Sequence, residues 1–267
     1  MTDASPSLAV LQNAAWQQIP SLVHAFCTRR GGVSTGSHTE LNLSFKVGDE
    51  RTAVEENWSR VRAHTRGRLE LVTMNQVHGT TVATVGPAAD PPGDADAMVT
   101  SAGGIGLCVL TADCVPILLV APGARAVAAV HAGWRGSLGG VVVAALRHMV
   151  GEMNVRAGDV LVALGPSIGS CCYEVDAPIV DDLEAAWGAM PAAIRRYERD
   201  GMPKARLDLR AANTKLLIEA GIDPRAIAQI GGCTACTSGE FYSHRVASRG
   251  GASAVTGRQL SFIGWAL

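Results

Sequence analysis

Three apolar segments near the middle of the chain constrain its fold more than any other feature. Residues 105–110, 115–121 and 126–130 are mostly aliphatic, and turns at residues 111–113 and 122–123 lie between them. Apolar runs of this length, bounded by turn residues, are typical of strands that are buried on both faces. The middle of the chain therefore predicts buried strands at the core of the protein.

Periodicity on either side of this core predicts the remaining elements. Further strands are predicted at residues 22–28, 69–74, 81–85, 97–100, 160–164 and 260–265, and a loop at residues 87–96. Helices are predicted after Asp49, after Gly136 and after Asp208, the last of which is a good N-cap residue. Residues 191–206 are charged and are predicted to form an excursion on the surface.

The order of these elements indicates the fold class. Strands and helices are mixed without a strict βαβ alternation, which favours an α+β fold over a doubly wound sheet. A chain of 267 residues can bury a sizeable core. Because no linker divides the sequence, residues 1–267 are expected to form a single domain.

Composition and charge indicate which kind of molecule the protein binds. The chain is 48% hydrophobic and 18% charged with a net charge of −1, and it contains no block of like charges. Neither a nucleic-acid surface nor a membrane patch is therefore indicated, and a small molecule is the better partner. Residues 1–11 lack a secretory pattern, and seven cysteines, an odd number, fit a reducing compartment. We expect a cytoplasmic protein that is a monomer or a weak homodimer.

Three residues that could carry chemistry stand at the edges of apolar strands: His78, Cys114 and His131. Their spacing is not a short metal-ligand motif, so only the fold could bring them together. Two imidazoles and one thiolate suit zinc, and three protein ligands leave a fourth position for water or substrate, as in catalytic sites. Gln76 and Asp113, the nearest polar neighbours in sequence, are expected to steady these ligands.

Two other interpretations of the same residues stay open at this point. Cys114 could be a small buried apolar residue beside two histidines with ordinary structural roles. Alternatively, Cys114 could be a nucleophile with His131 as its base, since such pairs are adjacent in space and not in sequence.

Several motifs in a fixed order resemble the YfiH-like family, which is also called the laccase-domain or multicopper polyphenol oxidase family. They are residues 28–34, 75–79, 94–97, 111–116, 131–136 and 165–169, and the resemblance covers residues 25–267. It implies one α+β domain, a sandwich of mixed β-sheets flanked by helices, with one zinc ion at His78, Cys114 and His131. It also implies that these three residues are catalytic.

The resemblance further implies an activity. Family members are described as purine nucleoside phosphorylases that convert adenosine, inosine or methylthioadenosine and phosphate to a free base and ribose 1-phosphate. Some are also adenosine deaminases, and others are linked to the editing of peptidoglycan precursors. We therefore expect a zinc-dependent purine nucleoside phosphorylase. The alternatives are a Cys–His amide hydrolase of precursor editing and a non-catalytic metal-binding or nucleotide-binding module.

The older laccase label can be tested against the histidine content. Multicopper oxidases hold copper with many closely spaced histidines, whereas this chain has seven histidines and no His-x-His pair. Three ligands could hold one copper ion. Because copper competes with zinc for N and S ligands, copper could also bind this site in vitro. Multicopper chemistry is not expected.

Phosphorolysis requires a phosphate site, which favours Arg side chains or backbone N–H groups at a helix start. Arg135 opens the helix after His131, and Arg29 lies in the Gly-rich turn at residues 29–32. The complete set of expected phosphate-binding and substrate-binding residues is Arg29, Asn42, Gln76, Asp113, Arg135 and Arg245. Deamination would also need a carboxylate for proton transfer, for which Asp113 and Glu174 are both candidates.

Cys233 and Cys236 form the one Cys-x-x-Cys motif of the chain. A single motif of this kind is a weak signal, and a structural role is favoured. A four-cysteine zinc site would need Cys171 and Cys172, whose adjacency in sequence is awkward for chelation. Near the C-terminus, additional Gly and Ser residues precede Arg258, which departs from the family pattern.

Overall fold

The computed structural model describes residues 8–188, 190, 192–249 and 255–267. Part of the segment 1–11, residue 191 and the Gly- and Ser-rich residues 250–254 therefore lie outside the described residues. Within the described residues, the strands are β1 (Val10–Leu11), β2 (Leu22–Cys27), β3 (Glu70–Val72), β4 (Val82–Thr84), β5 (Ala97–Thr100), β6 (Ile105–Thr111), β7 (Val115–Ala121), β8 (Ala126–Ala132), β9 (Leu161–Leu164), β10 (Glu174–Asp176), β11 (Ile194–Arg199), β12 (Met202–Leu207), β13 (Ile227–Gln229) and β14 (Gln259–Trp265).

The helices of the same residues are α1 (Arg51–His64), α2 (Trp134–Leu138), α3 (Val141–Glu152), α4 (Ala177–Trp187), α5 (Leu209–Glu219) and α6 (His244–Ser248). Among the described residues, every helix is too short or too polar to cross a membrane. The strands form a five-stranded sheet in the order β1-β2-β14-β6-β3 and a six-stranded sheet in the order β13-β9-β7-β8-β5-β4. A smaller sheet has the order β10-β12-β11.

The two large sheets pack face to face and are covered by helices on their outer sides. One buried cluster joins the sheets and includes Phe26, Leu107 and Ile263 from the first sheet and Met98, Leu118 and Val127 from the second. A second cluster packs α1 on the outer face of the five-stranded sheet. A third packs α3 and α5 on the outer face of the six-stranded sheet. The fold is thus an α+β sandwich of mixed sheets flanked by helices, as predicted.

Strand β7 shows why the central segments are apolar without alternation. Ile117 and Leu119 belong to the cluster beneath α3, whereas Leu118 and Val120 belong to the cluster between the sheets. Successive side chains of a strand point to opposite faces, and here both faces are buried. All seven residues of β7 are buried, so the prediction of buried central strands is confirmed.

The structure corrects two predictions about helices and loops in part. The helix expected after Gly136 is two helices, because α2 begins at Trp134 and ends at Leu138, before α3 begins at Val141. Gly140 lies between them with a φ of +75°, in the left-handed region that interrupts a right-handed helix. The charged segment expected on the surface at residues 191–206 is largely exposed, but it also contains the antiparallel hairpin of β11 and β12, which was not predicted. Its charged side chains lie mainly on the exposed face. The sequence of β11 therefore lacks the run of apolar residues that predicts a buried strand.

Candidate metal centre and ligand cavity

The three residues predicted to bind a metal meet where the chain passes between the two large sheets. Cys114 lies in the turn from β6 to β7, and His78 lies in the segment from β3 to β4. Each of these connections leads from the five-stranded sheet to the six-stranded sheet. His131 lies in β8, opposite Pro116 of β7. The fold therefore brings together His78, Cys114 and His131, which are far apart in the sequence.

The donor atoms of these residues form a compact group, called here the His–Cys–His group. The ligand atoms of His78, Cys114 and His131 all lie within 4.8 Å of one another. Nε2 of His78 is 3.9 Å from Sγ of Cys114, and the two imidazole rings are nearly perpendicular. His131 is buried, Cys114 half-buried and His78 exposed. The set consists of two imidazoles and one thiol and is exposed at His78. It fits a single metal ion that keeps one coordination position accessible.

Asp96 holds this group in place, and the sequence analysis did not identify it. Its buried carboxylate accepts a hydrogen bond from Nδ1 of His131 at 2.7 Å. The same carboxylate accepts hydrogen bonds from the backbone N–H groups of Val77, His78 and Gly79, at 3.2, 3.0 and 2.6 Å. A carboxylate at Nδ1 leaves Nε2 of His131 to face a metal and fixes the orientation of the ring.

The register of two strands explains the position of Asp96. Ala97 of β5 is paired with Val130 of β8, and the backbone N–H of His131 donates to the carbonyl of Asp96 at 2.8 Å. Asp96 and His131 therefore lie side by side although they are distant in sequence. The available signal was the motif at residues 94–97, which placed an aspartate immediately before a predicted strand.

Gln76 and Asp113 were expected to steady the ligands directly, but their hydrogen bonds go elsewhere. The amide of Gln76 donates to the carbonyl of Leu110 and accepts from its N–H, both at 2.8 Å. This pair attaches the His78 segment to the end of β6. The carboxylate of Asp113 accepts from Oγ1 of Thr234 at 2.6 Å and from the backbone N–H of Arg245 at 2.7 Å.

Gly133 lies against the group at a distance that only glycine permits. A Cβ atom at this position would be 2.9 Å from Cδ2 of His78 and 3.1 Å from Sγ of Cys114. Real Cβ atoms do not approach other atoms so closely, so a larger residue would displace a donor. His78 itself has a φ of +61°, an uncommon conformation for a residue other than glycine.

The charges of the group favour an ionised thiol. Burial opposes ionisation of Cys114, but the imidazoles of His131 and His78 outweigh it and lower the pKa of the thiol to about 6. Burial also opposes protonation of His131, but the Cys114 thiolate and the Asp96 carboxylate raise the pKa of its imidazole to about 9. The thiolate is the form of cysteine that binds metals and acts as a nucleophile.

A cavity of about 850 Å³ lies beside the His–Cys–His group. Its size falls within the range of pockets that bind small molecules. The wall contains all three donors, and it carries the cationic side chains Lys46, Arg62, Arg135, Arg245 and Arg258 and the aromatic side chains Phe45, Trp58, Trp134 and Tyr173. The cavity therefore combines positive charge, aromatic faces and a candidate metal centre.

Four of the six residues expected to bind phosphate or substrate line this cavity: Gln76, Asp113, Arg135 and Arg245. The guanidinium of Arg135 stacks on Trp134 at 4.4 Å, and that of Arg245 lies 5.1 Å from the ring of Tyr173. Because α2 has only five residues, these side chains, and not a helix N-terminus, are the candidates for the anion site expected beside His131.

The other two, Arg29 and Asn42, are built into the surrounding loops. Nη1 of Arg29 donates to the carbonyl of Ser238 at 2.9 Å, and its guanidinium lies 4.5 Å from the ring of Tyr242. Asn42 is fully buried and accepts a hydrogen bond from the backbone N–H of Arg258 at 2.9 Å. Neither side chain is among those that line the cavity.

The two carboxylates considered for proton transfer are also engaged. Asp113 lines the cavity, but both of its oxygens accept the hydrogen bonds described above. The carboxylate of Glu174 accepts hydrogen bonds from the hydroxyl of Tyr197 and from the guanidinium of Arg199 in the small sheet. Glu174 is not among the residues that line the cavity.

These features define an α+β sandwich protein with a candidate metal centre at the wall of a ligand cavity. Residues 23–266 match the family model described as multi-copper polyphenol oxidoreductase laccase, and the chain belongs to this family. It is 37% identical over 257 residues to the purine nucleoside phosphorylase YlmD of Geobacillus stearothermophilus, covering 91% of this chain and 89% of that protein. It is 39% identical over 225 residues to the purine nucleoside phosphorylase SCO2081 of Streptomyces coelicolor, covering 82% and 88%.

Solved structures agree with this assignment. The crystal structure of YlmD from Geobacillus stearothermophilus superimposes with a TM-score of 0.85 at 32% identity, covering 97% of each chain. That of the hypothetical protein YfiH from Bacillus licheniformis superimposes with a TM-score of 0.85 at 27% identity, covering 98% of this chain and 97% of that one. The resemblance to the YfiH-like family and the fold that it implied are thus confirmed.

Proposed function

We propose that this chain is a zinc-dependent purine nucleoside phosphorylase that acts on adenosine, inosine and methylthioadenosine. The observation that carries the proposal is the cavity in which the His–Cys–His group, several arginines and several aromatic rings share one wall. The names of the relatives described above support the same activity. We further propose that the protein works in the cytoplasm, where a reducing environment would keep its seven cysteines as thiols.

The donor set supports zinc as the metal. His78, Cys114 and His131 would hold the ion, and Asp96 would keep the imidazole of His131 in the orientation for binding. When bound, zinc supplies a fixed positive charge and a Lewis acid at the cavity wall. The thiol of Cys114 is suited to the ion because its pKa is lowered to about 6. The same donors would accept copper in vitro.

The arginines of the wall would bind phosphate. Phosphorolysis forms a bond between a phosphate oxygen and C1′ of the ribose while the bond from C1′ to the purine breaks. Arg135 and Arg245 line the same cavity as Cys114 and offer planar guanidinium groups, and such groups bind phosphate through paired hydrogen bonds. Stacking on Trp134 and Tyr173 restricts both side chains before phosphate arrives. They would thus hold the nucleophile near the metal centre.

The aromatic side chains would bind the purine. Phe45 is 50% exposed although it is large and apolar, and it lines the cavity. An exposed aromatic ring at a cavity wall offers a stacking surface for a flat base. Phe45→Ala is therefore expected to raise the KM for inosine more than it lowers kcat.

The direct test measures hypoxanthine release from inosine by purified, zinc-loaded protein with and without phosphate. We expect release that depends on phosphate and that falls about a thousandfold in Cys114→Ala, since an interaction with the reacting charge is lost. Cys27→Ala is the matched control, because Cys27 is a buried thiol in the core beneath α1. Release that ignores phosphate, or that survives in Cys114→Ala, contradicts the proposal.

Adenosine deaminase activity, which the family resemblance implies, is a secondary part of the proposal. Both oxygens of Asp113 already accept hydrogen bonds, and Glu174 does not line the cavity, so we expect deamination to be slower than phosphorolysis here. Inosine formation from adenosine without phosphate measures it. A deamination rate above the phosphorolysis rate would reverse this order.

A second candidate function rests on the pairing of Cys114, His131 and Asp96. A thiolate beside an imidazolium that is oriented by a carboxylate is the arrangement of a Cys–His hydrolase, which would suit amide hydrolysis in peptidoglycan precursor editing. This candidate predicts activity that resists chelators and is lost on thiol alkylation. The phosphorylase predicts loss of activity with the metal and recovery on adding zinc.

A further inference from the structure

A second group of donors lies outside the cavity and consists of four cysteines. Cys171 and Cys172 lie between β9 and β10, and Cys233 and Cys236 lie between β13 and α6. Their four sulfur atoms all lie within 4.8 Å of one another. We call these residues the four-cysteine group. The sequence analysis regarded the adjacency of Cys171 and Cys172 as an obstacle, but both thiols reach the same place.

Backbone contacts bring the two segments together. Ser167 and Cys233 form a parallel bridge, and the N–H of Thr234 donates to the carbonyl of Ser167 at 3.0 Å. The N–H of Gly169 donates to Sγ of Cys233 at 3.2 Å. Peptide N–H groups that point at sulfur stabilise its thiolate form, which is the form that binds a metal.

The spacing of the sulfur atoms fits a tetrahedral metal. Zinc–sulfur bonds of about 2.3 Å place the sulfurs of a tetrahedral site about 3.8 Å apart. Sγ of Cys236 lies 3.4 Å from that of Cys171 and 3.5 Å from that of Cys172. A disulfide would instead pair two sulfurs at about 2.05 Å. Cys236 is nearly equidistant from two candidates, which fits a shared ion better than one chosen disulfide partner.

We propose that the four-cysteine group binds one zinc ion in a structural site distinct from the His–Cys–His group. Four thiolates fill the tetrahedral coordination of zinc and leave no position for water or substrate, as in structural sites. The two exposed thiols, Cys171 and Cys236, would be covered by coordination instead of remaining open to oxidation. The ion would cross-link segments that are otherwise joined by a few backbone hydrogen bonds.

This cross-link would also support one wall of the cavity. Thr234, between the two cysteines of the second pair, donates to the carboxylate of Asp113 at 2.6 Å. Ile168, just before the first pair, donates its N–H to the carbonyl of Asp113 at 2.9 Å. Asp113 precedes Cys114 in the β6–β7 turn and has a φ of +89°. The four-cysteine group is thus attached to the turn that carries the thiol of the other group.

The experiment counts zinc in the full-length protein, purified under reducing conditions, by plasma mass spectrometry. We expect about two zinc ions per chain in the wild type, about one in Cys236→Ser, about one in Cys114→Ala and none in the double variant. Cys27→Ala should retain two. The count needs no substrate, so it separates failure of this site from failure of the proposed activity. A wild-type chain that binds one zinc ion, lost in Cys114→Ala, overturns the proposal.

A second measurement does not depend on the folding of a four-cysteine variant. Cobalt added to metal-free Cys114→Ala should give the intense visible bands and the sulfur-to-cobalt charge-transfer absorption of a tetrahedral four-thiolate site. Absence of these bands overturns the proposal. The proposal is also overturned if differential alkylation with mass spectrometry finds a disulfide between any two of the four cysteines in wild type purified anaerobically without a reductant.

Discussion

The His–Cys–His group and the four-cysteine group differ in the number of their donors and in what surrounds them. The first has three donors, a buried carboxylate behind it and a large cavity in front. The second has four donors and backbone N–H groups around it, and its residues do not line that cavity. Three donors beside a cavity leave a position for a reacting molecule, whereas four donors satisfy the metal completely. This difference is why we propose chemistry at the first group and cross-linking at the second.

The largest effect that tests this comparison is expected from Cys114→Ala set against Cys236→Ser. The first should reduce phosphorolysis of inosine about a thousandfold and should lower the thermal unfolding temperature less than the second does. The second should lower the unfolding temperature and reduce activity by less than about tenfold, because a structural ion contributes to folding. Equal losses of activity in both variants would remove the distinction.

Asp96→Asn should produce the next largest effect. The amide cannot accept from His131 and from three backbone N–H groups as the carboxylate does, so zinc affinity at the His–Cys–His group should fall about 10- to 100-fold. Competition with a chelator measures this affinity. Asp94→Asn is the matched control, since Asp94 accepts only from the side chain of Asn75 in this region. Unchanged affinity in Asp96→Asn would show that Asp96 does not orient a ligand.

Gly133→Ala should have a smaller effect at the same group. The added methyl meets His78 and Cys114 at 2.9 and 3.1 Å, so one donor must move and zinc affinity should fall about tenfold. Gly123→Ala serves as control, because a Cβ there would meet no atom within 4 Å. The four-cysteine group should keep its zinc in both variants, as the cobalt spectrum would report.

The smallest effect is expected where the two groups are connected. Thr234→Val removes the hydroxyl that donates to the buried carboxylate of Asp113, which should cost about 1–2 kcal/mol in the free energy of unfolding. Thr237→Val is the control, because its hydroxyl donates to the carbonyl of Cys233 on the exposed side. Urea unfolding measures both. A Thr234→Val protein as stable as Thr237→Val would mean that the connection to Asp113 contributes no stability.

The sequence predicted those parts of the molecule that depend on local patterns. The apolar runs located β6, β7 and β8, and the N-cap role of Asp208 is confirmed by its hydrogen bond to the N–H of Ala211. The motifs indicated the three donors of the His–Cys–His group. Periodicity missed the β11–β12 hairpin because its outer face is charged and only part of it is buried.

The remaining features depend on strand register and loop contacts, which a single sequence does not contain. Asp96 reaches His131 only through the pairing of β5 with β8. The four cysteines meet through the bridge of Ser167 with Cys233 and the hydrogen bond from Gly169 to Cys233. Arg29 and Asn42 lie in segments that resemble the family, but their side chains make hydrogen bonds within loops and do not line the cavity. A sequence motif identifies a segment and does not determine the direction of its side chains.

The pairing of β7 with β8 has a consequence for how the protein matures. In this antiparallel pair, Val115 lies opposite Ala132 and Pro116 opposite His131, so Cys114 and His131 are neighbours in only one alignment. A slip of one residue would turn every side chain of one strand to the opposite face. A metal that binds only the aligned form adds its binding free energy to that form alone. A metal ion bound at the proposed site would therefore favour the correctly aligned chain, and expression without added metal is expected to lower the yield of correctly folded protein.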